Sequence, residues 1–150
     1  MPLNIYLAGP LFSEAERAWI DRIAERLRAE GFECFVPHEH FDALAELTPA
    51  EVYRVDGAGI RAANVLFAWL DGPMVDDGTA CEIGIFYGLM RSDPEKKGIV
   101  GMTHDIRAMR DSNREGEVKG LNLFVVGCIE AAGTIVTSLD AAQGVLEGWR

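Results

Sequence analysis

The sequence of 150 residues has few of the features that mark membrane, secreted or nucleic-acid-binding proteins. No run of about eighteen apolar residues occurs, so we expect no membrane-spanning helix. Lysine and arginine number 14 against 24 acidic residues, and the net charge of −10 argues against nucleic acid or an anionic membrane as a partner. The amino-terminal stretch MPLNIYLAGP has no basic segment of the kind that begins a signal peptide. We therefore expect a cytoplasmic protein.

Cysteine is scarce, and its spacing fits neither a disulfide framework nor a metal site. Cys34, Cys81 and Cys128 lie far apart in apolar surroundings, which predicts buried free thiols. His38 and His40 have no well-spaced third ligand, which favours surface or hydrogen-bonded histidines over a metal site. The glycine-rich motifs of dinucleotide and P-loop sites are also missing. We expect neither a metal nor an organic cofactor.

What the sequence does contain is a regular alternation of apolar runs and amphipathic stretches. The apolar runs predict five strands, at residues 4–8, 32–36, 65–70, 98–102 and 134–137. The amphipathic stretches predict helices at residues 13–30, 48–63, 79–90, 121–131 and 139–149. Residues 38–47 look less regular, and residues 103–120 look like a polar loop.

This alternation predicts an α/β fold in a single domain, residues 1–150. Right-handed crossovers give a doubly wound, flavodoxin-like parallel sheet of order 2-1-3-4-5 with helices on both faces. In that order the first and third strands are neighbours at the point where such sheets bind ligands. Gly9, Pro10 and Phe12 follow the first strand, and Tyr6 lies inside it. The third strand runs into an acidic stretch, so we expect one crevice that contains all of these residues.

Glu82, in that acidic stretch, has two interpretations from the pattern alone. Thr79 and Glu82 have the spacing of a helix capping box, in which the glutamate is purely structural. Alternatively, Asp71, Asp76 and Glu82 form a set of carboxylates suited to glycosidic chemistry, in which one attacks the anomeric carbon and another transfers protons. A helix N-terminus would keep such a nucleophile ionised. The pattern leaves both interpretations open.

Three segments resemble the nucleoside 2-deoxyribosyltransferase family. The opening IYLAGP, followed by Phe12, Ser13 and Arg17, is similar to the start of that family. The stretch DDGTACEIG at residues 76–84 resembles its motif D-x-G-[ST]-x-x-E-[IVL]-G, and Leu121-Asn122-Leu123 resembles its N-L-M segment. The segments occur in the right order across nearly the whole chain. The resemblance implies the same doubly wound fold.

The resemblance also implies an activity, which is transfer of the 2-deoxyribosyl group between nucleobases with hydrolysis of 2-deoxynucleosides as a side reaction. Glu82 would be the nucleophile and Tyr6 would orient its carboxylate. Asp71 and Asp76 would contact the substrate and assist protonation of the leaving base. The substrate-binding residues would be Gly9, Pro10, Phe12, Gly78 and Asn122. Asn122 would reach a sugar hydroxyl in a neighbouring subunit's site, which implies a homo-oligomer of at least two subunits.

Two other functions remain open at this stage. A hydrolase of 2-deoxynucleoside 5-monophosphates would use the same nucleophile but needs cationic or hydroxyl groups around the phosphate, and the first loop offers Ser13 and Arg17. A non-catalytic receiver or nucleotide-sensing module would use Asp71 as its phosphate acceptor. Such a module needs paired acids after the first strand, where this sequence has Gly9 and Pro10.

Overall fold

The computed structural model describes residues 2–41, 44, 46–106 and 120–150. Its sheet has five parallel strands in the order β2-β1-β3-β4-β5. The strand order confirms the predicted α/β fold. That residues 1–150 form a single domain stays a prediction. The strands are β1 (Asn4–Ala8), β2 (Glu33–Phe35), β3 (Val65–Trp69), β4 (Gly98–Met102) and β5 (Gly133–Val136).

Helices cover both faces of this sheet. They are α1 (Glu14–Ala29), α2 (Pro37–Phe41), α3 (Pro49–Ala62), α4 (Asp77–Met90), α5 (Leu123–Glu130) and α6 (Leu139–Gly148). Alternate residues of β1 serve the two layers, since Ile5 and Leu7 pack in the core of α1 and α6 while Tyr6 and Ala8 pack in the core of α3, α4 and α5. This alternation directs the Tyr6 side chain toward α4.

Most predicted boundaries agree with the structure to within one or two residues, and three differences matter. Residues 37–41 form α2, where the sequence indicated irregular chain, because a five-residue helix opened by proline is too short to show periodicity. The helix α4 begins at Asp77 instead of Thr79. The helix α5 begins after Asn122, which is its cap. The predicted polar loop at 103–120 falls largely at residues 107–119, outside the described residues.

The strand register brings the predicted crevice together. Ala8 pairs with Ala68 on β3, so β1 and β3 end side by side at their carboxyl ends. The loops that leave these ends begin at Gly9 and Leu70. In the part of the chain that the structure describes, no helix is both long enough and apolar enough to cross a membrane.

Candidate functional site

The side chain of Glu82 is held by a tyrosine from the centre of the sheet. The hydroxyl of Tyr6 donates a hydrogen bond of 2.5 Å to Glu82 Oε1. Tyr6 is fully buried, and its ring stacks on Phe35 with the ring centroids 5.3 Å apart. Because this stacking fixes the ring, it also fixes the direction of the hydroxyl. The structure therefore brings together the two residues that the family resemblance had paired.

Glu82 does not cap the helix that carries it. The N-cap is Asp76, whose Oδ2 accepts hydrogen bonds from the Thr79 backbone N–H at 2.9 Å and from the Thr79 hydroxyl at 3.1 Å. Thr79 therefore lies inside the first turn and Glu82 in the second. The capping-box interpretation was wrong because Asp76, three residues earlier, takes the cap position that the pattern gave to Thr79. Helix capping does not explain a glutamate at position 82.

The protonation of Glu82 is governed by its burial. Burial raises the pKa of Glu82 to about 8, with the hydrogen bond from Tyr6 acting against this rise and the charges of Asp56 and Asp76 adding to it. The expectation that the helix N-terminus keeps this carboxylate ionised was wrong, because the effect of the helix dipole is confined to the first turn. Glu82 must lose a proton before it can act as a nucleophile.

Asp56 on α3 belongs to the same site and was not predicted. Its Oδ1 is buried and has no hydrogen-bond partner among the described residues. Burial raises the pKa of Asp56 to about 6. A buried carboxyl group with a pKa near neutrality and an unused oxygen is suited to give or take a proton. The sequence held a signal, since Val52, Asp56 and Ile60 recur every four residues and place an acid on the inner face of α3.

A cavity of about 180 Å³ contains both carboxyl groups. It is lined by residues from the loop after β1, from α2 and α3, and from α4 with its cap, which are Gly9, Leu11, Phe12, Pro37, Phe41, Val52, Asp56, Asp76, Gly78 and Glu82. Four of the predicted substrate or catalytic residues besides Glu82 thus meet at one place. The walls are mainly apolar, and the acids come from two helices, which is the usual composition of a small-molecule site.

A second cavity of about 410 Å³ adjoins the first and shares Phe12 and Asp76 with it. Pro10 and Asp71 line this second cavity. The Phe12 side chain is 79% exposed, and Arg17 Nη1 donates hydrogen bonds to the carbonyls of Leu11 and Phe12 at 2.9 and 3.0 Å. Arg17 therefore fixes the backbone of the loop that carries the Phe12 ring at the opening of both cavities.

Asp71 and Asn122 lie outside the cavity that contains Glu82. Although burial opposes it, hydrogen bonds from Thr103 and Trp69 hold the pKa of Asp71 below its ordinary value, so its carboxylate is a poor proton donor. Its engaged oxygens also argue against the receiver-module alternative. Asn122 caps α5, with Oδ1 accepting from the backbone N–H of Phe124 at 2.9 Å. The structure does not bring Asn122 to Glu82 within one chain.

The cysteine prediction needs one correction at this site. Cys34 and Cys128 are half-buried, but Cys81 is exposed. Neighbouring positions on a helix point in different directions, so α4 turns Glu82 inward and Cys81 outward. Cys81 also lines a third cavity, of about 280 Å³, that includes Asp56 and Glu82.

Comparison with solved structures identifies similar folds. The structure of a conserved protein from Enterococcus faecalis V583 is 27% identical, with a TM-score of 0.81 and 99% of both chains covered. The 2-deoxyribosyltransferase of Bacillus psychrosaccharolyticus is 20% identical, with a TM-score of 0.63 and coverage of 93% of this chain and 90% of that one. The 2-deoxyribosyltransferase from Leishmania mexicana is 20% identical, with a TM-score of 0.68 and coverage of 97% and 98%.

Comparison of sequences is more specific. No curated protein matches this sequence significantly. The sequence profile described as nucleoside 2-deoxyribosyltransferase matches residues 5–140, which include both Tyr6 and Glu82. Since this match covers most of the chain, the protein belongs to the nucleoside 2-deoxyribosyltransferase family.

Proposed function

We propose that the protein transfers the 2-deoxyribosyl group between nucleobases through a covalent glycosyl intermediate on Glu82. The observation that carries this proposal is the hydrogen bond from Tyr6 to Glu82 in a cavity that also contains the unpartnered carboxyl group of Asp56. Retaining glycosidic enzymes need such a pair, one group to attack carbon and the other to carry a proton. Family membership supports the same chemistry.

In the first step the ionised carboxylate of Glu82 attacks the anomeric carbon of a 2-deoxynucleoside. Tyr6 holds Oε1, which leaves Oε2 to form the new C–O bond. The bond from carbon to the base nitrogen breaks, its electrons stay with the base, and the base takes a proton from Asp56. A 2-hydroxyl group would withdraw electrons from the oxocarbenium-like transition state, so a 2-deoxy sugar reacts more easily.

In the second step an acceptor base attacks the same carbon and displaces Glu82. The acceptor loses its proton to Asp56, which restores the starting protonation of the site. Water in place of the acceptor base gives hydrolysis, so the ratio of transfer to hydrolysis depends on how well the bound base excludes water. No further cofactor is needed for this reaction to balance.

The other residues of the cavity have binding roles in this proposal. Phe12 packs on the nucleobase, and Gly9 and Pro10 shape the loop beneath it. Asp76 uses Oδ2 to cap α4, and its other oxygen contacts the substrate. A Cβ atom at Gly78 would lie 3.1 Å from Asp76 Oδ2, so a glycine there keeps the cap and the opening clear.

The activity is tested by incubating the protein with deoxyadenosine, deoxycytidine, deoxyuridine or thymidine, each with and without a different free base. The products are separated by chromatography. We expect new nucleosides that appear only when the second base is present. Lysine and arginine are absent among the described residues that line the 180 and 410 Å³ cavities, whereas Arg61 lines the third cavity. A phosphate in either of the first two cavities would therefore have no cationic partner in the cavity lining. We therefore expect kcat/KM for deoxycytidine to exceed that for its 5-monophosphate at least ~10-fold. The reverse preference would favour the monophosphate hydrolase.

We also propose that the active form is a homo-oligomer in which Asn122 completes a neighbouring subunit's site. The helix α5 has the sequence LFVVGCIE, and its Leu123 and Phe124 are 80% and 81% exposed. Apolar side chains exposed beside each other favour a surface that another subunit covers. Asn122 lies at the start of this surface, so association would carry it toward a neighbouring subunit.

Complementation between inactive variants tests this arrangement. Mixing Asn122→Ala with Glu82→Ala subunits should restore about a quarter of wild-type activity, because random pairing in a dimer gives that share of sites with both residues intact. Asn122→Asp is the matched control, since aspartate keeps the cap acceptor but lacks the amide N–H groups. It should melt like wild type and still lose activity. If subunit exchange is verified and the mixture stays inactive, Asn122 does not act across an interface.

Tyr6→Phe tests the orientation of the nucleophile. It removes the hydrogen bond that favours ionised Glu82, so kcat/KM should fall ~10- to 100-fold, the worth of a hydrogen bond to a charged group. The pKa of Glu82 should rise further, because the hydrogen bond lowers it, and the alkaline limb of the pH profile should move to higher pH. Tyr87→Phe, which removes a hydroxyl from α4, should change neither. An unchanged profile in Tyr6→Phe would mean that Tyr6 only fills the core.

A further inference from the structure

Asp71 lies just after β3 and accepts hydrogen bonds from the chain that follows β4. Its Oδ1 accepts from the Thr103 hydroxyl at 2.7 Å and from the backbone N–H groups of His104 and Asp105 at 2.8 and 3.0 Å. Thr103 is itself buried. Three donors on one oxygen fix the position of that carboxylate relative to the end of β4. Two neighbouring strands are thus tied together at the edge where the cavities open.

The second oxygen of Asp71 ties the same carboxylate to β3. Asp71 Oδ2 accepts a hydrogen bond of 2.9 Å from Trp69 Nε1 and lies 3.4 Å from His104 Nδ1. The ring of Trp19, from α1, meets the rings of Trp69 and His104 edge-on at 6.4 and 5.3 Å. The carboxylate is therefore surrounded by groups from β3, α1 and the chain after β4, none of which has its side chain in the Glu82 cavity.

The segment that begins at Asp71 forms a wall of the second cavity. Gly72 has φ of 137°, in the region that favours glycine, so the chain turns sharply there. Pro73 and Met74 then line the 410 Å³ cavity, and the buried Val75 anchors the far end before Asp76. Asp71 and Val75 are therefore the two fixed ends of a short exposed turn. The hydrogen bonds that fix Asp71 therefore also fix the start of this cavity wall.

We propose that Asp71 is a positioning residue, which by joining the chain after β4 to residues 72–75 sets the position of Pro73 and Met74 in the wall of the 410 Å³ cavity and so governs nucleobase binding. This inference rests on the proposed transferase function. It gives Asp71 a role different from proton transfer, because the hydrogen bonds accepted by its two oxygens favour the ionised carboxylate, which has no proton to give. Errors of about 1 Å in such a wall are enough to weaken binding or turnover markedly.

Asp71→Asn and Thr103→Val test the proposal, each removing part of the same network. We expect faster amide hydrogen exchange in residues 72–76 of both variants, measured by mass spectrometry on the protein alone. We also expect KM for nucleoside and acceptor base to rise ~10-fold, the effect of about one lost hydrogen bond, while kcat stays within about threefold. Both limbs of the pH profile should stay in place. Thr103→Ser keeps the hydroxyl, so its KM and the rate of amide hydrogen exchange in its residues 72–76 should be close to those of wild type.

Asp140→Asn is the matched control for the loss of one negative charge. Asp140 pairs with the exposed Arg26 on the protein surface, so this variant should behave as wild type in exchange and in KM. Unchanged exchange in residues 72–76 of Asp71→Asn and Thr103→Val would overturn the proposal. So would a fall in kcat of about 100-fold with loss of the alkaline limb, since that result identifies a proton donor. If Asp71→Asn does not fold, the comparison of Thr103→Val with Thr103→Ser tests the proposal. If wild type itself transfers no sugar, the proposed function fails while the exchange result still decides the positioning.

Discussion

Glu82→Gln is expected to lower turnover by ~10³-fold or more while leaving the fold intact. Glutamine has the same shape and can accept the hydrogen bond from Tyr6 through its amide oxygen, but it cannot attack the anomeric carbon. Glu51→Gln is the matched control, because Glu51 lies in the first turn of α3 on the protein surface and makes an ion pair with Arg54. It should keep full activity. Retention of more than about a tenth of wild-type transfer by Glu82→Gln would contradict the nucleophile assignment.

The same variant should show an effect of pH on stability. Because burial raises the pKa of Glu82 to about 8, the native state resists ionisation of this group while the unfolded state does not. Wild type therefore loses stability relative to Glu82→Gln as the pH rises from the ordinary pKa that Glu82 has in the unfolded state through its native pKa of about 8. The two proteins should melt alike in acid, and the variant should melt at the higher temperature above pH ~8. Thermal melts across this range measure the difference.

Asp56→Asn is expected to reduce transfer by ~10²- to 10⁴-fold, the usual contribution of a positioned general acid. The loss should be smaller when the leaving base is acidic, as in the 2-deoxynucleoside of 5-fluorouracil, since such a base leaves with less help from a proton. Asp140→Asn, a matched change on the protein surface where Asp140 pairs with Arg26, should have little effect. An equal loss for acidic and basic leaving groups would mean that Asp56 binds substrate but does not donate a proton.

The pH profile gives the second part of this prediction. Asp56 and Glu82 have pKa values near 6 and 8, so between these values the pair holds one proton. This proton is mostly on Glu82, whose pKa is higher, and the reactive form is the one in which the proton is on Asp56 instead. Wild-type kcat/KM should therefore rise through about pH 6 and fall through about pH 8. In Asp56→Asn the alkaline limb should disappear, leaving only a rise as Glu82 ionises. A retained alkaline limb would assign that limb to another group.

Much of the fold could be predicted because its signals are local. Strand–helix alternation and the buried run at residues 65–70 were enough to give a parallel sheet and its order. The helix α2 was missed because five residues do not establish a period. The start of α4 was misplaced because two residues, Asp76 and Thr79, both have side chains that can cap a helix. Only the tertiary position of the chain decides between them.

The site was harder to predict because its essential properties depend on distant parts of the chain. Tyr6 and Glu82 are 76 positions apart and were paired only through the family resemblance. Asp56 was overlooked because it follows no recognised motif, and its importance comes from its burial and from the cavity that it shares with Glu82. The raised pKa of Glu82 likewise reflects surroundings assembled from several elements. Patterns of residue type show where acids are, whereas burial determines what they can do.

Trapping of the intermediate tests the central claim most directly. A 2-deoxy-2-fluoro nucleoside should react with wild type to form the covalent glycosyl intermediate. This intermediate should break down slowly, because the fluorine withdraws electrons from the transition state. Mass spectrometry of the digested protein should then show one added fluorosugar on the peptide that contains Glu82, and Glu82→Gln should show none. A sugar attached to another residue, or turnover of this nucleoside through an unmodified enzyme with inversion at the anomeric carbon, would contradict the mechanism.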